Sequence, residues 1–322
     1  MLLRQLAALG TGFDCASREE MDLSKTCLRH AQEIGVRQMT FDNASELEKI
    51  KATCPEGELF LRLKAQDPSA LSSLSEKFGA TLEEGMVLVQ TATHLGLRIC
   101  GVSFHVGSGA SDPAAYGAVI EDARRIFDYA RKLGHEMSIL DLGGGFQEQS
   151  FHAVAKALSE QLAYWFRDLD VRYIAEPGRY FAKGAYTLAC NVKGVRSHSS
   201  AEDSQRACKM LYLNDGVFGN FGEAAFGRLR TRPQILCHGA DFFPGQQCTK
   251  VNSDSPKEYS LWGPTCDSVD CISSGCDILG PEVQPGDWLF FEDMGAYSMC
   301  SRTSFNGFGS LQETLYVGTS VG

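Results

Sequence analysis

Polar or glycine positions close a series of runs that read as buried strands: Asp14, Arg62, His105, the triplet Gly143-Gly144-Gly145 and Glu176. The glycines carry the clearest chemistry. Consecutive glycines let backbone N–H groups converge on one point without Cβ crowding, and such a nest at the end of a parallel strand suits a phosphate. Each feature also has a plainer reading. A Gly-rich strand-to-helix turn such as Asp141-Leu-Gly143-Gly144-Gly145-Phe146 is more often only a tight turn. His105 in Ser-Phe-His-Val reads by itself as a satisfied core histidine, and Asp14 with Arg62 as an ion pair in the mouth of a barrel.

The elements that position these residues alternate. Strands are expected at Gly10–Ala16, Val36–Phe41, Leu59–Leu63, Ile99–Val106, the run into Gly143 and Val171–Ala175. Three capping boxes open helices between them: Ser17 with Glu20, Ser45 with Glu48, and Thr81 with Glu84. Asp112 caps and Pro113 enters the first turn of a helix whose stripe is Tyr116, Val119, Ile120, Ala123, Phe127, Ala130 and Leu133, stopped by Gly134. Strands alternating with helices of roughly 10 to 17 residues imply a parallel sheet, and polar residues at strand ends imply a (β/α) TIM-like barrel. Six strands precede a change of texture, whereas a full barrel has about eight. From about Phe181 the chain turns to short β runs (Thr187–Val195, Met210–Leu213, Tyr259–Trp262, Asp287–Phe291, Leu315–Val317) between polar loops such as Arg196–Gln205 and Arg230–Pro256. The fold class is α/β plus all-β, with an incomplete barrel over residues 1–180 and a β domain over 181–322.

Composition narrows the partners. A net charge of -10 argues against nucleic acid or an anionic membrane as the main partner and favours a small molecule. No apolar run approaches the ~20 residues that span a bilayer. The twelve cysteines are scattered, form no C-x-x-C pair and follow no signal peptide, which points to a reduced, cytoplasmic protein. Cys271 and Cys276 do not have zinc spacing.

Several motifs together carry a resemblance: Gly101-Val-Ser-Phe-His105-Val-Gly-Ser108-Gly109, Asp141-Leu-Gly-Gly-Gly145-Phe146, Ala175-Glu176-Pro-Gly178-Arg179-Tyr180, Trp262-Gly-Pro-Thr-Cys266-Asp267 and Glu292-Asp-Met-Gly-Ala-Tyr297. From about Gly10 to Val317 the chain resembles the eukaryotic ornithine decarboxylase family. These fold type III pyridoxal 5'-phosphate decarboxylases have a barrel and a β domain, and the family includes the antizyme inhibitors. The resemblance implies decarboxylation of an L-amino acid to its amine, in polyamine biosynthesis. It puts Glu176 at the pyridine nitrogen of the cofactor and His105 on the ring face. Gly143, Gly144, Gly145, Ser108, Gly178, Arg179 and Tyr297 fall in the phosphate cup, and Asp14 and Arg62 position the cofactor. Cys266 would return a proton to the product carbanion, and Asp267 would receive the distal amine of a substrate, both across a head-to-tail dimer. Cys266 also reads as a plain buried thiol. Partners implied are a homodimer, or a heterodimer with a full-length relative, and antizyme; no metal is implied.

The chain departs from that pattern in two places. The family's Schiff-base lysine would lie upstream of the segment aligning with Met1–Gly10, and Lys25 sits in a helical pattern instead. A strand-helix unit also looks absent between Asp22 and Val36, so the expected barrel lacks its first strand and one inner strand, and catalysis by this chain is left open against a regulator that only binds. In the second place, a Tyr-Asp pair of the family is replaced by Phe226-Gly227. Losing one charge-assisted bond to a buried ammonium costs roughly 1.5 to 3 kcal/mol. That predicts a substrate other than ornithine, less cationic and aliphatic, unless Glu223 compensates.

Overall fold

The stripe read between Tyr116 and Leu133 becomes the longest helix of a computed structural model that describes residues 2–12, 14–15, 33–65, 77–109, 112–197, 209–229, 232–243 and 256–308. The chain divides into two units, Met1–Tyr180 and Phe181–Gly322.

In the first unit, helix α1 (Leu2–Ala8) is followed by β1 (Gln38–Phe41), α2 (Ala44–Thr53), β2 (Glu58–Leu63), α3 (Leu82–His94), β3 (Arg98–Phe104), α4 (Ala115–Lys132), β4 (Ile139–Asp141), α5 (Phe151–Trp165), β5 (Arg172–Ile174) and the short α6 (Gly178–Ala182). The five strands form one parallel sheet in chain order. The expected strand at Gly10–Ala16 is not there: its described residues 10–12 and 14–15 are irregular. Two glycines and an aspartate in that run lower its strand propensity. The capping box at Ser17 lies outside the described residues. The expected Ser45 cap belongs to Asn43, whose side chain accepts from the Glu46 N–H at 2.9 Å, with Ser45 donating to the same oxygen. Thr81 and Glu84 make both halves of their box. On α4, Ile126 joins the buried stripe while Leu133, at the C-cap, is largely exposed.

One face of the sheet packs on the helices. Leu59, Leu61 and Leu63 of β2 face Ile99, Val102 and Phe104 of β3 there, in the same core as Val89 of α3 and Ile120 and Phe127 of α4. Strict alternation would not put Ile99 and Val102, three apart, on one face. A β-bulge between the Leu59 and Phe60 pairings inserts one residue and does so. The Cys100 thiol at the bulge donates to the Leu59 carbonyl at 3.5 Å, and a Cβ at Gly101 would lie 2.6 Å from the Phe60 ring. Phe60, Cys100, Ile139 and Ile174 then fill the opposite face.

The second unit is a seven-stranded sheet of β6 (Leu188–Ser197), β7 (Lys209–Leu213), β8 (Gln234–His238), β9 (Asp241–Phe242), β10 (Lys257–Trp262), β11 (Cys271–Ile278) and β12 (Trp288–Phe291), ordered β11-β10-β7-β6-β12-β8-β9. Its core holds Val192, Leu211, Leu213, Phe221, Ile235, Tyr259, Leu261 and Phe291. β8 and β9 lie in the segment Arg230–Pro256 expected to be loop, and β11 was not expected. The sequence Cys-Ile-Ser-Ser-Gly-Cys-Asp-Ile of β11 is polar on its exposed face and is held by its ladder to β10, so strand pairing outweighs propensity. The expected strand Leu315–Val317 lies outside the described residues. Among the described residues, no helix is long and apolar enough to cross a membrane.

Candidate active site

Three adjacent strands end in a polar row. Arg62, Ser103 and Asp141 are in register across β2, β3 and β4, so they share the sheet face opposite the helices. Asp141, the last residue of β4, accepts from the Gly143 N–H at 3.0 Å. The Gly143 carbonyl accepts from the Glu176 N–H at 2.8 Å, which brings the turn after β5 against the turn after β4. Gly143 has φ +64°, and a Cβ there would overlap the Phe104 carbonyl oxygen. A Cβ on Gly144 would lie 2.7 Å from His105 Nε2 and 2.9 Å from the Glu176 carbonyl oxygen. The triplet is therefore bare because three segments converge on it.

The protonation states follow from that crowding. Burial, then the carboxylates of Asp141 and Asp14, push Glu176 up to about 8, against the opposing pull of Arg62. Asp141 is also raised, chiefly by burial, and the two carboxyls hydrogen-bond to each other. Burial, then the Arg62 guanidinium, hold His105 down to about 4. It is a neutral ring at pH 7, whose Nδ1 accepts from the Gly107 N–H at 3.0 Å and whose Nε2 bears the hydrogen. Arg179 Nε donates to Ser108 Oγ at 3.1 Å, joining the loops that follow β3 and β5. The Arg62 guanidinium also lies 4.9 Å from the Phe78 ring centroid.

Thus Arg62, His105, Gly143–Gly145, Glu176, Ser108 and Arg179 gather at one end of the first unit's sheet, and the charge of Asp14 acts on both carboxyls there. Gly178 follows in the same turn, its N–H donating to the Glu176 carbonyl at 2.8 Å. Cys266, Asp267 and Tyr297 belong to the second unit. Cys266 is exposed rather than buried, with Asn306 Nδ2 donating to its Sγ at 3.3 Å. Asp267 accepts from the Val269 N–H at 2.9 Å, and Tyr297 stands half exposed at φ +52°. Phe226 is 70% exposed, and a Cβ on Gly227 (φ +65°) would meet nothing within 4 Å. Sequence reading overlooked Asp141 and Ser103 as site residues. Asp141 had the right signal, an acid at a strand end two residues before the glycines.

Comparison with known proteins agrees with this geometry. Residues 23–183 match the model of the pyridoxal-dependent decarboxylase family, pyridoxal binding domain. The decarboxylase flvG of Aspergillus flavus is 42% identical over 98% of this chain and 77% of its own length. Ornithine decarboxylase of Neurospora crassa is 42% identical over 100% and 74%. Antizyme inhibitor 2 of Xenopus laevis is 38% identical over 95% and 71%. Among solved structures, the Paramecium bursaria Chlorella virus arginine decarboxylase bound to agmatine superposes with a TM-score of 0.84 at 31% identity, over 96% of this chain and 84% of that one.

The residues fit pyridoxal phosphate. Bare backbone at the glycines, the Ser108 hydroxyl and the Arg179 guanidinium suit its phosphate, and a protonated, half-buried acid suits its ring nitrogen. The Ser103 hydroxyl, buried without a hydrogen-bond partner, adds a spare polar atom in the same row. Pyridoxal phosphate is the cofactor of this fold, and the chain belongs to the pyridoxal-dependent decarboxylases of the eukaryotic ornithine decarboxylase-like family.

Proposed function

We propose that this chain is a pyridoxal-phosphate-dependent decarboxylase of an L-amino acid whose distal end is less cationic than that of ornithine. The observation that carries the reading is the half-buried Asp141–Glu176 pair beside the glycine cradle and a neutral His105. A chain kept only for binding another protein has no need of a protonated acid there. When bound, the cofactor supplies an electron-poor ring that accepts the electron pair left by the departing carboxylate. Glu176 would hold the ring nitrogen in its protonated state, His105 would cover the ring without adding charge, and Gly143–Gly145, Gly178, Ser108 and Arg179 would hold the phosphate. Asp14 and Arg62 would balance charge around the acid pair. Cys266 would deliver a proton to the product, with Asp267 and Tyr297 completing a site formed in a homodimer or with a longer relative.

The substrate reading rests on the end of the 3₁₀ turn Gly222–Phe226. No carboxylate stands at Gly227, and the guanidinium of Arg228 lies 5.0 Å from the centroid of the exposed Phe226 ring. A cation over that ring disfavours an ammonium at the same place. Glu223, whose carbonyl accepts from Arg228 N–H at 3.0 Å, is the nearest acid along the chain. The test is carbon dioxide release by the cofactor-loaded chain from a panel of L-amino acids. Faster release from an aliphatic amino acid than from ornithine is expected. Equal turnover of ornithine, with leucine and lysine ignored, would sink the substrate reading.

A second reading, a regulator that binds antizyme, is favoured by the likeness to antizyme inhibitor 2. Two measurements separate them. Borohydride reduction with intact mass reports whether a lysine of this chain holds the cofactor, and an antizyme pull-down reports binding. A folded chain with no adduct and tight antizyme binding would replace the enzyme reading.

A further inference from the structure

We infer that Asp141 is a positioning residue that shares one proton with Glu176 and so sets the charge the strand-end site presents to its cofactor ring. The inference rests on the reading of this site as a pyridoxal phosphate seat.

The geometry is a closed circuit. Gly143 N–H donates to Asp141 Oδ1 at 3.0 Å, Glu176 N–H donates to the Gly143 carbonyl at 2.8 Å, and the two carboxyls hydrogen-bond to each other. Backbone bonds on both sides keep the carboxyls from moving apart. Two carboxylates that meet in one hydrogen bond resist ionising together, and the first proton belongs to the pair rather than to either residue. The surrounding groups point the same way. From β2 comes Arg62; from the segment before β1, Asp14; after β3, the neutral His105 and, in register, the uncharged Ser103. Three acids thus face one guanidinium, and a single proton on the pair leaves one negative charge in excess instead of two. That proton is in place before any ligand binds, and the same circuit that holds it also fixes the glycine cradle.

Asp141→Asn separates these two jobs. The amide oxygen of Asn can still accept from Gly143 N–H, but an amide cannot share the proton. The experiment is infrared titration of the cofactor-free chain, following the carbonyl stretch of protonated carboxyls, with 13C-glutamate labelling to identify Glu176. In wild type the labelled band should persist at pH 7 and bleach as pH rises through about 8. In D141N the midpoint should fall by about one unit or more, because the like-charge neighbour is gone. A purely structural Asp141 would change melting temperature and leave the midpoint where it was, which would overturn the inference. Should D141N fail to fold, wild type labelled with 13C at both aspartate and glutamate carboxyls decides: aspartate and glutamate bands that lose one proton between them at a common midpoint sustain sharing, and a glutamate band that titrates with no matching change in the aspartate band overturns it. Calorimetry of pyridoxal phosphate binding in two buffers of different ionisation enthalpy gives the second readout. Proton uptake at pH 7 should be greater in D141N by up to one proton, and identical uptake would count against the inference. If the band shifts as expected but neither protein binds pyridoxal phosphate, the proton sharing stands and the cofactor-seat reading fails.

Discussion

In the first unit the candidate site is built inward: strand register lines up Arg62, Ser103 and Asp141, converging backbone leaves no room for a Cβ at Gly143 or Gly144, and burial decides the charge of Glu176 and His105. In the second unit the corresponding residues face outward. Cys266 is exposed and Asp267 half-buried, each bonded within its own surroundings, to Asn306 and Val269, and Gly227 opens on empty space. The difference teaches where stability and chemistry are coupled. Changing a residue of the cradle alters the fold as well as the site, whereas changing Cys266 or Gly227 should touch chemistry alone.

The strongest test of that contrast is Gly143→Ala. Positive φ and overlap with the Phe104 carbonyl should together cost about 3 kcal/mol or more, read as a lowered melting temperature, and should abolish pyridoxal phosphate binding in a spectral titration. A stable variant that still binds would show the cradle to be an ordinary turn. Next comes Glu176→Gln, expected to lower decarboxylation by at least about a hundredfold. It should also flatten a pH trend. Because Glu176 is raised in the folded state, that state holds a proton the unfolded chain has lost, so stability present below pH 4.5 declines as pH rises through about 8. Denaturation across that window should show the decline in wild type and not in the variant. Cys266→Ala comes third: turnover should fall by about a hundredfold while stability stays within about 0.5 kcal/mol. A large loss of stability would erase the contrast between the units. The smallest effect is expected from Gly227→Asp, since aspartate tolerates left-handed backbone and the site has room. Ornithine affinity should rise about tenfold or more with melting unchanged.

What could be read beforehand was whatever is local. The box at Thr81, the α4 stripe and the strand ends at Arg62, His105 and Glu176 are spelled by neighbours within one element. Gly10–Ala16 misled because a run holding two glycines and an aspartate has little strand propensity. β8 was missed because its partner β12 is distant in sequence, and β11 because its polar residues are held by the ladder to β10 rather than by propensity. Asp141 was legible as a strand end but not as half of a pair, since Glu176 reaches it through the turn after β5 and no spacing along the chain encodes that meeting.

The bulge at Cys100 has a further meaning if the sheet is thought of as a text with two alternating readings. Odd and even positions of a strand address opposite sides, and one additional letter between Ile99 and Val102 switches the parity of everything after it. Paired one to one with no bulge, Val102 would sit beside Arg62 and Ser103 would be turned into the apolar wall of helices. Insertions are usually tolerated in loops. Here a bulge absorbs a single extra residue inside a strand and keeps the two readings of β2 and β3 in phase, so that the polar one ends where Asp141 and Glu176 are waiting.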